Sequence, residues 1–243
     1  MADLIPHLTV LLPAHDEAPT IAAVIAGALA AAPPPVEILV IDDGSTDDTA
    51  ARAAAAGARV IRLPQNRGKG EALRVGAREA RGERLVILDA DGQDDPAELP
   101  LLLDALRPGV DLVIGSRFLG TFEPGAITPI DRLGNRLLTA LFNHLLGARI
   151  TDTQAGFRAI RRDTLLRLDL RAARYDVETD MLARLLAAGG AAVEVPVTRR
   201  PRAHGSTDLS RIRDGLRILA TILRARARRS HDLAQGPADR ARS

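Results

Sequence analysis

The chain of 243 residues has no cysteine, which excludes a disulfide framework, a thiolate metal site and a cysteine nucleophile. Aromatic residues make up 2% of it, leaving few rings on which bases stack, so no nucleic-acid partner is expected. No apolar run reaches the roughly 18 to 20 residues of a spanning helix; the best stretch, 137–146, is broken by Thr139, Asn143 and His144. The opening Met1-Ala2-Asp3-Leu4-Ile5-Pro6-His7 lacks the basic and apolar regions of a signal peptide, and a cytoplasmic location is the expectation. Lysine is nearly absent, Lys69 being the only one. Neither the Walker A pattern nor the Gly-x-Gly-x-x-Gly dinucleotide fingerprint occurs.

What is present is a hydrophobic content of 46%, enough for one sizeable α/β domain. The net charge of +2 is unevenly spread: residues 199–229 hold ten Arg against Asp208 and Asp214. A basic segment without aromatic partners fits an anionic lipid surface or a phosphorylated ligand.

Short apolar runs at 8–12, 36–41, 59–63, 85–88 and 112–114 read as buried strands, and Ala-rich amphipathic stretches at 20–32, 47–56, 71–80 and 96–106 read as helices. This alternation predicts a parallel sheet covered on both faces, with ligands outside the carboxyl ends of the strands. Further on, the pattern predicts a loop at 118–130, helices at 131–146 and 177–188, a strand at 192–197 and an amphipathic helix at 209–229. Residues 1–229 are expected to form one domain and 230–243 a disordered tail.

Four successive strand ends carry polar clusters. The most informative is Asp89-Ala90-Asp91, closing the run 84–88. Side chains alternate along a strand, so both carboxylates can face one site. Converging carboxylates need a cation, and hard oxygen ligands favour Mg²⁺ or Mn²⁺ accompanied by phosphate. Asp42-Asp43-Gly44-Ser45 ends the second strand, with Ser45 or Thr46 expected to cap the next helix. Gly68-Lys69-Gly70 opens the third helix, where glycines, free N–H groups and an ammonium group predict an anion site.

Pro13-Ala14-His15-Asp16-Glu17, Asp42-Asp43-Gly44-Ser45-Thr46-Asp47, Asn66-Arg67-Gly68-Lys69-Gly70, Asp89-Ala90-Asp91-Gly92-Gln93 and Gly115-Ser116-Arg117 together resemble the family 2 glycosyltransferases. Asp152-Thr153-Gln154-Ala155-Gly156-Phe157-Arg158 and His204-Gly205-Ser206 resemble their dolichyl-phosphate mannose synthase branch. The resemblance spans about 8–223 and implies the GT-A fold: a Rossmann-like, mostly parallel central sheet with helices on both faces and a C-terminal amphipathic helix. It implies a metal-dependent, inverting transfer of mannose or glucose from a GDP- or UDP-sugar to a polyprenyl phosphate, at the cytoplasmic face of a membrane.

The resemblance also implies roles. Pro13, Ala14, Glu17, Asp43, Lys69, Asp89, Ala90, Asp91 and Arg202 bind the nucleotide sugar, and Asp89, Asp91 and Gln93 surround the metal. Arg117, Arg132, Asn135 and Gln154 meet the acceptor, and Asp91, Arg117, Asp152 and Arg202 form the catalytic set. Glu178 and Asp180 are similar to an acidic pair near the acceptor in related enzymes, where one serves as base; otherwise they stabilise a helix start. Two other readings stay open: a soluble glycosyltransferase with a small phosphorylated or sugar acceptor, and a non-catalytic nucleotide-sugar binding protein. Leu133, Leu137, Leu138, Leu141, Phe142, Leu145 and Leu146 on one helix, and Ile212, Leu216, Leu219 and Leu223 on the last, form apolar stripes suited to a membrane surface or to core.

Overall fold

The computed structural model describes residues 6–202 and 211–234; the His204-Gly205-Ser206 segment lies outside them. Seven strands form one sheet in the order β3-β2-β1-β4-β6-β5-β7. They are β1 (Leu8–Ala14), β2 (Val36–Asp42), β3 (Arg59–Arg62), β4 (Arg84–Ile87), β5 (Leu112–Phe122), β6 (Arg158–Arg161) and β7 (Ala192–Arg199). β1 pairs in parallel with β2 and β4, β2 with β3, and β5 with β7, whereas β6 runs antiparallel to both its neighbours. The sheet is therefore mostly parallel, as expected.

Parallel strands carry near-continuous apolar runs because both their faces are covered. Val10, Leu12, Val40, Val86 and Leu88 belong to one core layer, with Ile25 of α1 (Ile21–Ala31), Ala53 of α2 (Thr49–Ala55) and Leu102 of α4 (Leu99–Ala105). Leu11, Leu39, Ile41 and Ile87 belong to the opposite layer. There they meet α3 (Lys69–Glu79), α5 (Pro129–Leu146), α6 (Arg162–Arg167), α7 (Val177–Ala187) and α8 (Arg211–Ala234) through Leu73, Phe142, Leu165, Leu182 and Ile222. Alternation along each strand thus feeds two separate cores.

Several elements differ from the sequence expectation. β5 continues to Phe122 through residues expected as loop, pairing Thr121 and Phe122 with Thr198 and Arg199 after an irregularity. Gly120 permits this, because a Cβ there would lie 2.1 Å from the Val197 carbonyl oxygen. β6 and α6 are short elements with only two consecutive apolar residues each, too little for periodicity to detect. α2 starts at Thr49 rather than behind a Ser45 or Thr46 cap; Ser45 Oγ instead accepts from the Asp16 N–H at 3.0 Å. α8 runs to Ala234, into the stretch expected as tail, while 235–243 lie outside the described residues.

Candidate active site

A cleft of ≈ 380 Å³ opens where β1, β2 and β4 end, beside the start of α3. This is the crevice outside the carboxyl ends of the strands, at the point where the strand order reverses. Pro13, Ala14, Glu17, Asp43, Lys69, Asp89, Ala90, Asp91 and Arg202 all line it, as do His15, Asn66, Arg174 and Tyr175. The whole nucleotide-sugar set named from the sequence is therefore gathered at one place. Gln93, Arg117, Arg132, Asn135, Asp152 and Gln154 are not in the lining.

At the β2 end, Asp43 accepts from the Arg67 N–H at 2.8 Å and the Gly68 N–H at 2.7 Å. Its buried neighbour Asp42 accepts from the Ser45 N–H at 2.9 Å and pairs with Arg62 at 3.2 Å. Asp43 thus faces the cleft while Asp42 holds the turn.

The glycines around Lys69 serve a purpose the sequence did not show. A Cβ on Gly68 or Gly70 would lie 2.2 Å from the Ala173 or 2.0 Å from the Ala172 carbonyl oxygen, respectively. The chain at 172–174 crosses directly over the start of α3, and the Gly70 N–H donates to Ala173 O at 3.0 Å. That end of the helix is stapled to protein, which corrects the expectation of free N–H groups for an anion. The ammonium group is likewise engaged, reaching Asp89 Oδ1 at 2.5 Å and Glu178 Oε1 at 2.6 Å. Burial works against the Lys69 charge, but Asp89 and Glu178 outweigh it and raise its pKa. Burial likewise opposes ionisation of Asp89, yet Lys69 and Arg199 hold it below the usual carboxylate range. Gly156 sits so near that a Cβ would meet Asp89 Oδ2 at 2.5 Å.

Arg202 closes the other side, donating to Glu17 Oε1 at 3.1 Å and Asp91 Oδ2 at 2.9 Å. Burial pushes the Glu17 carboxyl up; Arg202 pulls it back only in part, and Asp91 adds to the rise. Beneath lies Arg199, which the sequence showed only as part of a basic run. It donates to Asp94 Oδ1 and Gln93 Oε1, both at 2.8 Å, and stands 3.7 Å from Asp91. The Gln93 oxygen is thus occupied by a guanidinium group, in contrast to the metal ligation expected of it, and its amide donates to Arg200 O at 3.1 Å. Asp94 is buried with Oδ2 unpartnered, and burial raises its pKa against the pull of Arg199.

Of the residues expected from the resemblance to meet the acceptor, Arg117 forms a bidentate pair with the fully buried Asp152 at 2.7 and 2.8 Å. Asp152 is therefore committed to orienting Arg117. Gln154 donates to Thr153 and Thr179 hydroxyls, each at 3.0 Å. On α5, Arg132 lies over the Phe122 ring at 5.3 Å, and Arg136, which the sequence reading missed, over Phe118 at 5.4 Å. Asn135, on the same helix, is half-buried.

The expected acidic pair divides. Glu178 belongs to the Lys69 triad, while the Asp180 carboxylate accepts from the Arg171 and Ala172 N–H groups and from Arg184, at 2.8, 3.1 and 2.7 Å. Asp180 is thus a fastening for the 170s loop, a role different from both the base and the helix-start readings, and is not free to act as a base. Arg158, buried and pushed down to about 10 by desolvation, donates to the Ala155, Glu178 and Thr153 carbonyls and fixes the start of α7 from below.

A switch-point cleft with paired aspartates on a mostly parallel sheet places the protein among the α/β folds that bind ligands at the carboxyl ends of their strands. The family described as "Glycosyl transferase family 2" matches residues 9–168, and the chain belongs to it. Glycosyltransferase AglJ of Haloferax volcanii is 36% identical over 217 residues, covering 88% of this chain and 70% of that protein. Polyprenol monophosphomannose synthase of Mycolicibacterium smegmatis is 39% identical over 133 residues, covering 52% of this chain. The match spans about half, 49%, of the synthase. Among solved structures, glucosyl-3-phosphoglycerate synthase of Mycobacterium tuberculosis with Mn²⁺, UDP and glucosyl-3-phosphoglycerate superposes with a TM-score of 0.73 at 30% identity, covering 91% of this chain and 80% of that one. Another structure of that enzyme holds Mg²⁺ and UDP. The fold is GT-A and the protein is a glycosyltransferase.

Proposed function

We propose that this glycosyltransferase moves a hexose, mannose or glucose, from a GDP- or UDP-sugar to a polyprenyl phosphate, with Mg²⁺ or Mn²⁺ and with inversion. The observation that carries the donor half is the charge of the cleft. Its lining holds five carboxylates, those of Asp16, Glu17, Asp43, Asp89 and Asp91, against Lys69, Arg174 and Arg202. Such a wall repels a diphosphate unless a divalent cation accompanies it. Among the described residues no group of three or more His, Cys, Asp or Glu is placed to hold a metal alone. An ion here would be held by Asp91 and Asp89, which line the cleft and would have to share their ion pairs with Arg202 and Lys69, and by phosphate oxygens. When bound, the ion offsets the charge of the leaving diphosphate.

The remaining steps belong to the chain. Asp43, with two backbone donors fixing it, and Glu17 hold the ribose and base. Arg202 contributes positive charge beside the departing diphosphate. An oxygen of the acceptor phosphate attacks the anomeric carbon, the bond from that carbon to the diphosphate oxygen breaks, and the nucleoside diphosphate leaves with the electron pair. A phosphomonoester, with a second pKa of about 6, is mostly dianionic at neutral pH and needs no strong base. This agrees with Asp152 and Asp180 being engaged elsewhere. Arg117, Arg132 and Arg136 supply cations on the acceptor side.

No helix among the described residues is long and apolar enough to cross a membrane. Exposed Ile130, Leu133 and Leu137 on α5, and Ile212, Leu216 and Leu223 on α8, lie among arginines, which supports a peripheral location on an anionic bilayer. A second reading, a small soluble phosphorylated acceptor, is favoured by the likeness to glucosyl-3-phosphoglycerate synthase. Labelled-hexose transfer from GDP-mannose, GDP-glucose and UDP-glucose to polyprenyl phosphate or to 3-phosphoglycerate, with Mn²⁺, separates the two. Product in the lipid phase, lost in Asp89→Ala/Asp91→Ala, is expected; transfer only to the soluble acceptor, or activity surviving that double change, contradicts the proposal.

A further inference from the structure

Two of the three Lys and Arg residues lining the cleft are already spent on carboxylates. Lys69 bridges Asp89 and Glu178, and Arg202 bridges Glu17 and Asp91. The third, Arg174, is exposed, and its guanidinium group makes no hydrogen bond or ion pair among the described residues. Its position is nevertheless built. The 170s loop is tied down by the Asp180 carboxylate on the Arg171 and Ala172 N–H groups, by Ala173 O on the Gly70 N–H, and by Arg74 on the Leu170 and Ala172 carbonyls at 3.0 and 3.2 Å. The stem of Arg174 runs along Gly68, where a Cβ would come within 3.2 Å of its Cγ and where φ is +89°. A glycine with that backbone leaves room at the start of α3 for the Ala173 carbonyl and for this stem beside it.

We infer that Arg174 is a donor-binding residue that contacts a phosphate of the nucleoside diphosphate. The inference rests on the cleft being a nucleotide-sugar site. Lys69 and Arg202 each have to share or give up an ion pair to meet an incoming anion, whereas Arg174 has none to lose. A guanidinium group is the side chain suited to bidentate contact with phosphate oxygens, and an anchored loop lowers the entropy cost of holding it there.

The test is calorimetric titration of UDP, GDP, uridine and guanosine into the full chain with Mn²⁺, for wild type, Arg174→Gln and Arg174→Lys. Arg174→Gln should weaken the diphosphate that wild type binds by roughly tenfold to a hundredfold and leave its nucleoside unchanged. Arg174→Lys, a point charge without the fork, should fall between. Because the side chain is exposed, thermal melting of both variants should match wild type. Diphosphate affinity within twofold of wild type in Arg174→Gln, or an equal loss for the nucleoside, overturns the assignment. If wild type binds neither diphosphate, the nucleotide-site reading itself fails and takes the inference with it.

Discussion

Lys69 is the counter-ion of the buried Glu178 and the half-buried Asp89, and the arrangement of these two acids depends on it. Removing one member of a fully buried ion pair costs about 3–5 kcal/mol, an upper bound for this partly buried cluster. Lys69→Met should destabilise the fold by about 1–3 kcal/mol in urea unfolding, and Glu178→Gln added to it should restore part of the loss; no measurable cost contradicts the triad. Glu37, in β2, tests the electrostatics away from the cleft. It accepts from the Thr9 hydroxyl at 2.6 Å, Arg59 Nε at 2.9 Å and the Arg81 N–H at 2.9 Å. Burial pushes its pKa up, but these donors outweigh that and hold it below the ordinary value. A depressed carboxyl contributes stability above its unfolded pKa of about 4.3 and loses it as pH falls through the folded value. The advantage of wild type over Glu37→Gln should therefore be full near neutrality and shrink below about pH 4; a gap constant across that range contradicts the assignment. At this scale the sequence showed Asp89 and Asp91 clearly, because a strand's alternation and its end are local properties. It did not show that Arg199, 106 residues away, takes the Gln93 oxygen, since no local pattern records a contact of that range.

Elements were legible where a long apolar period recurs, and less so where close packing decides. α3 was foreseen, yet the closeness of the 172–174 chain to Gly68 and Gly70 was visible only as two glycines. β6 has just Ala159 and Ile160 as apolar residues between arginines, one of them buried, and could not be distinguished from loop. The stripe on α5 proved to be two things in sequence. Phe142 and Leu146 are core, whereas Leu133 and Leu137 are 57% and 62% exposed. On α8 the core takes Ile218 and Ile222, leaving Ile212, Leu216 and Leu223 outside. Exposed side chains contribute little to folding, so Leu133→Ser/Leu137→Ser should melt like wild type while losing flotation with anionic phospholipid vesicles. Undiminished flotation would remove α5 from the membrane reading.

For the whole molecule, one sheet with two core layers brings four strand-and-helix junctions to a single edge, and that convergence makes separate short motifs into one site. The alternation of strands and helices was enough to predict the edge. The balance of charge across it required the structure, because Arg202 and Arg174 enter from distant parts of the chain. An acid-rich cleft that accepts a diphosphate only with a divalent cation is the central claim, and nucleoside diphosphate titration with Mn²⁺ and with EDTA tests it most directly. Wild type should bind UDP or GDP with Mn²⁺ and lose at least about tenfold in affinity, roughly 1.4 kcal/mol, in EDTA, with Asp91→Asn unresponsive to the metal. Equal affinity with and without the cation would contradict it.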